Sequence, residues 1–179
     1  ILVSTLANPS TYGVYVSGKY AYLAQGISGG FRIVDISNPS APILVSSLDI
    51  SSTDIYVSGK YAYVADASGA IRIIDISNPS NPVEVSTLST SSALDIYVSG
   101  KYAYVADEAD GLRIVNVSNP SNPVSVSTVP LTSANSVYVS GKYAYVTDGF
   151  DGLRIIDISN PSVPVLVSTL DTPYASNVH

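Results

Sequence analysis

Four near-copies of one 41-residue unit, four strand-length apolar runs in each copy, and turns built from Gly, Asn and Pro predict an all-β chain of β-propeller blades. The unit is anchored on DIYVSGKYAYVAD at residues 54–66. That stretch recurs at 95–107, as SVYVSGKYAYVTD at 136–148, and more loosely as GVYVSGKYAYLAQ at 13–25. Its Gly-Lys-Tyr triplet begins at Gly18, Gly59, Gly100 and Gly141. A period of that length belongs to stacked supersecondary units, each too small to bury its own apolar surface.

Within the second unit the apolar runs cover residues 54–58, 60–66, 71–77 and 83–88. Val, Ile, Tyr and Thr dominate them and none is long enough for a helix, so each is expected to be a strand. Ser58-Gly59 is expected to link the first two, Gly supplying the positive φ of a tight hairpin. Register counted from that link sets Tyr56 opposite Tyr61 and Asp54 opposite Tyr63. The third and fourth runs are joined by Ser-Asn-Pro-Ser at residues 37–40, 77–80, 118–121 and 159–162. There Asn can bond nearby backbone and Pro fixes φ for a turn. A second proline (Pro42, Pro82, Pro123, Pro164) opens each fourth run, which places that strand at a sheet edge. Four-stranded meanders of this kind are propeller blades, expected at about residues 12–48, 53–88, 94–129 and 135–170. Residues 1–6, ILVSTL, match the fourth strand of every later unit and are expected to complete a preceding blade; residues 171–179 are expected to begin a following one.

Alternation places Tyr56, Tyr61 and Tyr63 on one face and Ile55, Val57, Ala62 and Val64 on the other. A sheet apolar on both sides is unstable in water. Stacking the Tyr face of one blade on the aliphatic face of the next buries both.

The third runs read FRIVD at 31–35, IRIID at 71–75, LRIVN at 112–116 and LRIID at 153–157, each followed by a short link to Asn-Pro. This pattern resembles the LVIVD repeat family across almost the whole chain. The resemblance implies a β-propeller and, from the family's bacterial and archaeal members, a place at the cell surface. It brings no catalytic motif, so no active-site residue is carried over.

Composition narrows the function classes. With 46% hydrophobic and 12% charged residues the chain is not disordered, and its apolar stretches are strand-length, so no membrane insertion is expected. No signal peptide is visible, and a start in mid-repeat without Met leads us to expect processed or excised ends. Net charge is −6, and all eight cations fall at repeat positions: Lys19, Lys60, Lys101, Lys142, Arg32, Arg72, Arg113 and Arg154. This ladder is no basic patch, which disfavours nucleic acid. The absence of Cys removes disulfides and thiolate metal sites.

Candidate sites are few, and none is assigned as catalytic, cofactor-binding or metal-binding. His179 is the one histidine and is terminal, so no nucleophile–His pair of the usual kind can be assembled within the chain. Asp107/Asp110 before Gly111 and Asp148/Asp151 before Gly152 have chemistry that suits a hard cation, but Asp-Gly is also a common turn dipeptide. The four Arg are expected to lie along the sheet and meet a Tyr ring or a carboxylate. Asp54 and Asp95 precede the innermost strand, where they could draw a cation or a basic partner to the channel mouth. Asn116-Val117-Ser118 is an isolated glycosylation sequon where the other units carry Asp. Variation is concentrated in the second-to-third-strand link (GISGG, ASGA, EADG, GFDG) and in the blade-to-blade link. Binding sites gather on such loops when a rigid scaffold carries them. The expectation is a non-enzymatic extracellular or cell-surface scaffold that needs no cofactor. Its partners would be another protein, a glycan, further copies of itself or adjacent blades of a longer chain. The alternative is a fragment of a propeller hydrolase or lyase with its catalytic residues outside this stretch.

Overall fold

The computed structural model describes residues 10–172 and 175–178. The expected strand of residues 1–6 and His179 lie outside the described residues. Sixteen strands form four antiparallel sheets, each a simple meander. Blade 1 is β1 (Gly13–Ser17), β2 (Tyr20–Ala24), β3 (Phe31–Asp35) and β4 (Ile43–Leu48). Blade 2 is β5 (Ser52–Ser58), β6 (Tyr61–Asp66), β7 (Ala70–Asp75) and β8 (Val83–Ser89). Blade 3 is β9 (Asp95–Ser99), β10 (Tyr102–Ala106), β11 (Leu112–Asn116) and β12 (Val124–Val129). Blade 4 is β13 (Ala134–Ser140), β14 (Tyr143–Asp148), β15 (Leu153–Asp157) and β16 (Val165–Leu170). The second proline of each unit sits immediately before the edge strand, where its missing N–H costs no ladder bond.

One register differs from expectation. Ser58 pairs with Tyr61 and Tyr56 with Tyr63, so Gly59-Lys60, not Ser58-Gly59, forms the centre of the hairpin. The reason is conformational. Gly59 has φ 60° and Lys60 is not in the positive region, which is the type II′ pattern with Gly at the first central position. The displacement is two residues, the period of the pleat, so every side chain keeps its expected face.

Those faces build the core. Tyr22, Phe31 and Ile33 of blade 1 pack on Ile55, Val57, Ala62 and Val64 of blade 2. Tyr63, Ile71 and Ile73 of blade 2 meet Ile96, Val98, Ala103 and Val105 of blade 3. Tyr104, Leu112 and Ile114 of blade 3 meet Val137, Val139, Ala144 and Val146 of blade 4. Bulk on one side therefore meets a small residue on the other, and Ala62, Ala103 and Ala144 are fully buried at these seams. Polar staples secure the outer rim, where the Oγ hydroxyls of Ser46, Ser86 and Ser127 donate to the carbonyls of Pro79, Pro120 and Pro161 in the following blade.

No such seam joins blade 4 to blade 1 among the described residues, so the four blades make an open arc. Val14 and Val16 are 61% and 58% exposed, whereas their counterparts Ile55 and Val57 are 3% and 6% exposed. Tyr145, Leu153 and Ile155 on the outer face of blade 4 are only half-buried.

The Ala103→Leu substitution adds bulk where the seam has no space and is expected to destabilise the chain by about 1–3 kcal/mol. Thermal unfolding reads this directly; an unchanged melting temperature would contradict the assignment of faces.

Candidate functional site

The blades differ in kind at their two strand ends. At one end lie the Gly-Lys and Ser-Asn-Pro turns, which repeat almost without change. Asp35, Asp75, Asn116 and Asp157 each accept the N–H of the serine two residues on through Oδ1. Asn38, Asn78, Asn119 and Asn160 do the same for the next serine. Lys19, Lys60 and Lys142 reach Asp35, Asp75 and Asp157 at 3.0–3.2 Å while lying over Tyr20, Tyr61 and Tyr143. The Ser77 side chain and N–H, then Lys60, hold the Asp75 carboxyl at about 2. Asn116 keeps the acceptor that the turn needs, and Lys101 stays over Tyr102 at 5.5 Å. The sequon thus falls on a residue with a turn-forming role.

At the opposite, variable end the second-to-third-strand link and the blade-to-blade link come together. Residues Gly26–Gly29 form a single helical turn (α1) and Gly149–Asp151 a 3-10 turn, with bridges between Gly26 and Ser52 and between Glu108 and Ala134. Glu108 has φ 42°, the one positive value on a non-Gly residue among those described.

Arg72, Arg113 and Arg154 meet carboxylates here, while Tyr20, Tyr61, Tyr102 and Tyr143 are covered by Lys. Arg113 Nε donates to Asp107 Oδ2 at 2.9 Å, and its Nη2 donates to Asp110 at 3.1 Å. Asp107 Oδ1 accepts the N–H groups of Ser91 and Ser92 from the blade-to-blade link. Arg154 reaches Asp148 and Asp151 likewise, and Asp148 Oδ1 accepts Ser133 N–H and the Thr132 hydroxyl. Burial pushes Asp148 up, but the Ser133 N–H, Arg154 and Thr132 outweigh it and leave its pKa below the ordinary value. In blade 2 Asp66 takes Arg72 at 2.6 Å and turns its other oxygen to Ser68. Blade 1 has Gln25 in place of the Asp, and Arg32 Nε donates to Gly29 O. Both oxygens of Asp107 and Asp148 are therefore already engaged by a guanidinium and by loop donors, and Asp110 and Asp151 give one oxygen each to the same arginines. Among the described residues no three His, Cys, Asp or Glu side chains group as metal ligands do.

Toward the axis, the inner strands line a cavity of about 540 Å³ that holds Asp54, Asp95, Ser136 and Asn177. Tyr15, Tyr56, Tyr97 and Tyr138 run beside them as a ladder, with successive ring centroids 5.0, 4.9 and 5.3 Å apart. Three of these side chains reach to the segment one repeat further on. Asp54 Oδ2 accepts Ile96 N–H, Asp95 Oδ2 accepts Val137 N–H, and Ser136 Oγ accepts Val178 N–H. The lateral bonds were not read from the sequence, and the expectation that the arginines meet a Tyr ring or a carboxylate names no partner. The signal that could have found the pairs is the constant six-residue spacing of Asp66/Arg72, Asp107/Arg113 and Asp148/Arg154.

Removing Asp107 leaves loop N–H groups without their acceptor and a mostly buried guanidinium with one carboxylate instead of two. Asp107→Ala is expected to destabilise the chain by about 2–3 kcal/mol, short of the full cost of orphaning a buried ion because Asp110 remains. Lys60→Ala at the constant end should barely move the melting temperature. Added calcium should leave both melts where they are.

No curated protein sequence matches the chain. Solved structures do. The chain superposes with a TM-score of 0.80 and 16% identity on a protein from Lactobacillus plantarum, covering 89% of this chain and 57% of that one. The β-propeller domain of Myceliophteria thermophila Cps50 (Swd1) gives 0.77 at 17% identity, covering 96% and 62%. A putative 6-phosphogluconolactonase from Bacteroides fragilis gives 0.76 at 15%, covering 89% and 56%. The chain thus spans little more than half the length of these structures, and at such identities the likeness shows the fold. The family model of the LVIVD repeat matches residues 10–50, 51–90, 91–130 and 132–172, and the chain belongs to that family.

Proposed function

We propose that the chain is a non-enzymatic scaffold of the extracellular space or cell surface that presents its variable end to another protein or to a glycan. One observation carries this. The loops that differ between blades gather at a single end, held by buried Asp–Arg pairs, while the opposite end repeats. A rigid frame with variable loops is a frame for recognition.

Charge narrows the partner. The four lysines lie at the constant end with Asp35, Asp75 and Asp157, whereas Asp66, Asp107, Glu108, Asp110, Asp148 and Asp151 stand at the variable end against the arginines, so acidic groups are in excess there. A basic protein surface is the complement, with binding that weakens as salt rises. Ile27, 83% exposed in α1, adds an apolar contact.

A basic-protein panel and a glycan array test the proposal. Ile27→Ser and Glu108→Asn are expected to weaken binding about tenfold each, with little change in melting temperature. Asn is chosen at position 108 because it tolerates positive φ. Equal losses from Lys60→Ala would show that the variable end is not the contact surface.

A second class of partner, further copies of the chain or adjacent blades of a longer one, has the open faces behind it. Val14 and Val16 at one end of the arc, and Tyr145, Leu153 and Ile155 at the other, correspond to the two halves of the internal seam. Light scattering is expected to report self-association at high micromolar concentration; a monomer throughout would argue against copies as partners. The runner-up function, a segment of a propeller hydrolase or lyase with its catalytic residues elsewhere, draws on the putative 6-phosphogluconolactonase among the similar structures. Turnover of a sugar lactone by a longer chain that contains these blades, and not by these blades alone, would favour it.

A further inference from the structure

We infer that Asp54 and Asp95 form a proton-operated clasp across the seam between blades 2 and 3, closed while the two carboxyls share one proton and slackened when that proton leaves to solvent. The inference goes beyond the proposed recognition role and holds whether or not a partner binds.

The geometry begins with reach. Asp54 stands near the start of β5 and extends sideways to β9, where its Oδ2 accepts the Ile96 N–H at 3.2 Å. Ile96 directly follows Asp95, so this bond draws the two carboxyls together. Asp95 is itself pinned from the far side, its Oδ2 accepting the Val137 N–H at 2.8 Å and the Ser136 hydroxyl. It cannot readily swing away.

Blade 1 closes the other flank. Gly13 occupies the position that is Asp in blades 2 and 3, and a Cβ there would lie 2.5 Å from Asp54 Oδ1. A Cβ there would make the Asp54 carboxyl shift; Gly13 leaves it in place and puts no third acid at this level, while Ser136 takes the equivalent position in blade 4. One adjacent acid pair results, bracketed by uncharged residues.

No cation relieves it. The titratable groups around Asp54 are Tyr12 and Tyr15 from blade 1, Tyr56 on its own strand, Tyr97 and Asp95 from blade 3, and Tyr138 from blade 4. Lys, Arg and His are absent from the described residues that line this cavity. Burial, then the neighbouring Tyr15 and Tyr97, push Tyr56 upward, so its hydroxyl stays protonated at neutral pH. Two carboxylates this close in a half-buried rim cannot both ionise without cost, and a shared proton is the usual resolution. Burial first, then the hydrogen bond and charge of Asp95, push the Asp54 carboxyl up to about 8.

The sign of the pH dependence follows. The folded chain holds this proton more tightly than the unfolded chain, whose Asp titrates near its ordinary value. Between roughly pH 4 and 8 the folded state binds one extra proton, so stability falls as pH rises through that window and levels off above it.

Asp54→Asn tests the clasp. Its side-chain oxygen still accepts Ile96 N–H and its NH₂ donates to Asp95, a permanent copy of the protonated form. The parent chain is expected to lose several degrees of melting temperature between pH 5 and 8. Asp54→Asn should melt with it at pH 5, remain flat, and melt higher at pH 8. Carboxyl ¹³C NMR should show one Asp titrating near pH 8 in the parent, absent in Asp54→Asn and shifted toward the ordinary range in Asp95→Asn. Parallel melting curves for parent and Asp54→Asn would overturn the clasp, as would a spectrum in which every Asp carboxyl titrates below pH 6. The Asp95→Asn spectrum keeps the question decidable if one variant fails to fold.

Discussion

The structure depends on one seam, used three times: the Tyr-bearing face of a blade laid on the aliphatic face of the next. Neither face is stable in water, and neither sheet has another place to bury it. The fit is one of volume. Ala62, Ala103 and Ala144 leave space that Tyr22, Tyr63 and Tyr104 help to fill, and these tyrosines are 4–5% exposed. Each buried aromatic contributes more than an aliphatic of the same strand could, since it removes a larger area from water. Direction follows too. Because the faces differ, blades stack head to tail, and an arc of them keeps one face of each kind at its ends.

Apolar contact alone would let two twisted sheets slide. Polar groups at the outer and inner rims prevent that. At the outer rim Ser86 Oγ holds Pro120 O at 2.6 Å. On the innermost strand Thr53 Oγ1 lies within hydrogen-bond reach of Ala65 O in its own blade and of Ala93 O in the approach to the next. Beside it the row from Asp54 to Ser136 accepts backbone N–H groups from the segment one repeat on. Such bonds add little net stability individually, since each replaces a bond to water. Their effect is on uniqueness: a blade displaced by one residue would strand several half-buried donors at once.

Much of this was legible in the sequence, and the reason is periodicity. Faces depend on the parity of a residue along its strand, which the repeat states four times over. The hairpin register shows how robust that is: moving the turn from Ser58-Gly59 to Gly59-Lys60 changed each partner of β5 but no face. The site was less legible because its chemistry is not local. Asp107 acts on Arg113 and on Ser91 and Ser92, and only the folded approach of two loops reveals that a would-be cation ligand is a loop anchor. Cross-blade bonds such as Asp54 to Ile96 span a full repeat, a distance at which no local pattern operates.

What the repeats do not share is more informative than what they do. A substitution at a repeat position reports a local demand that the other copies do not face. Asn116 replaces Asp and keeps only the turn acceptor, so the turn, not the lysine pair, is the indispensable contact there. Gly13 stands where blades 2 and 3 have Asp, and its missing Cβ leaves the Asp54 carboxyl uncrowded. Gln25 replaces the buried Asp of the other blades, and its amide nitrogen bonds Thr11 at 2.9 Å while its Oε1 finds no protein partner. Blade 1 thus anchors its variable loop through the Gln25 amide and the Arg32 bond to Gly29 O, where blades 2, 3 and 4 pair a buried Asp with the Arg. That loop folds as a short helical turn and presents an exposed isoleucine. The departures from the period therefore differ in kind: Gly13 and Ser136 alter the inner rim, Gln25 the base of a variable loop and Asn116 a turn of the constant end, and in each the group that the local neighbours require is the one that is kept.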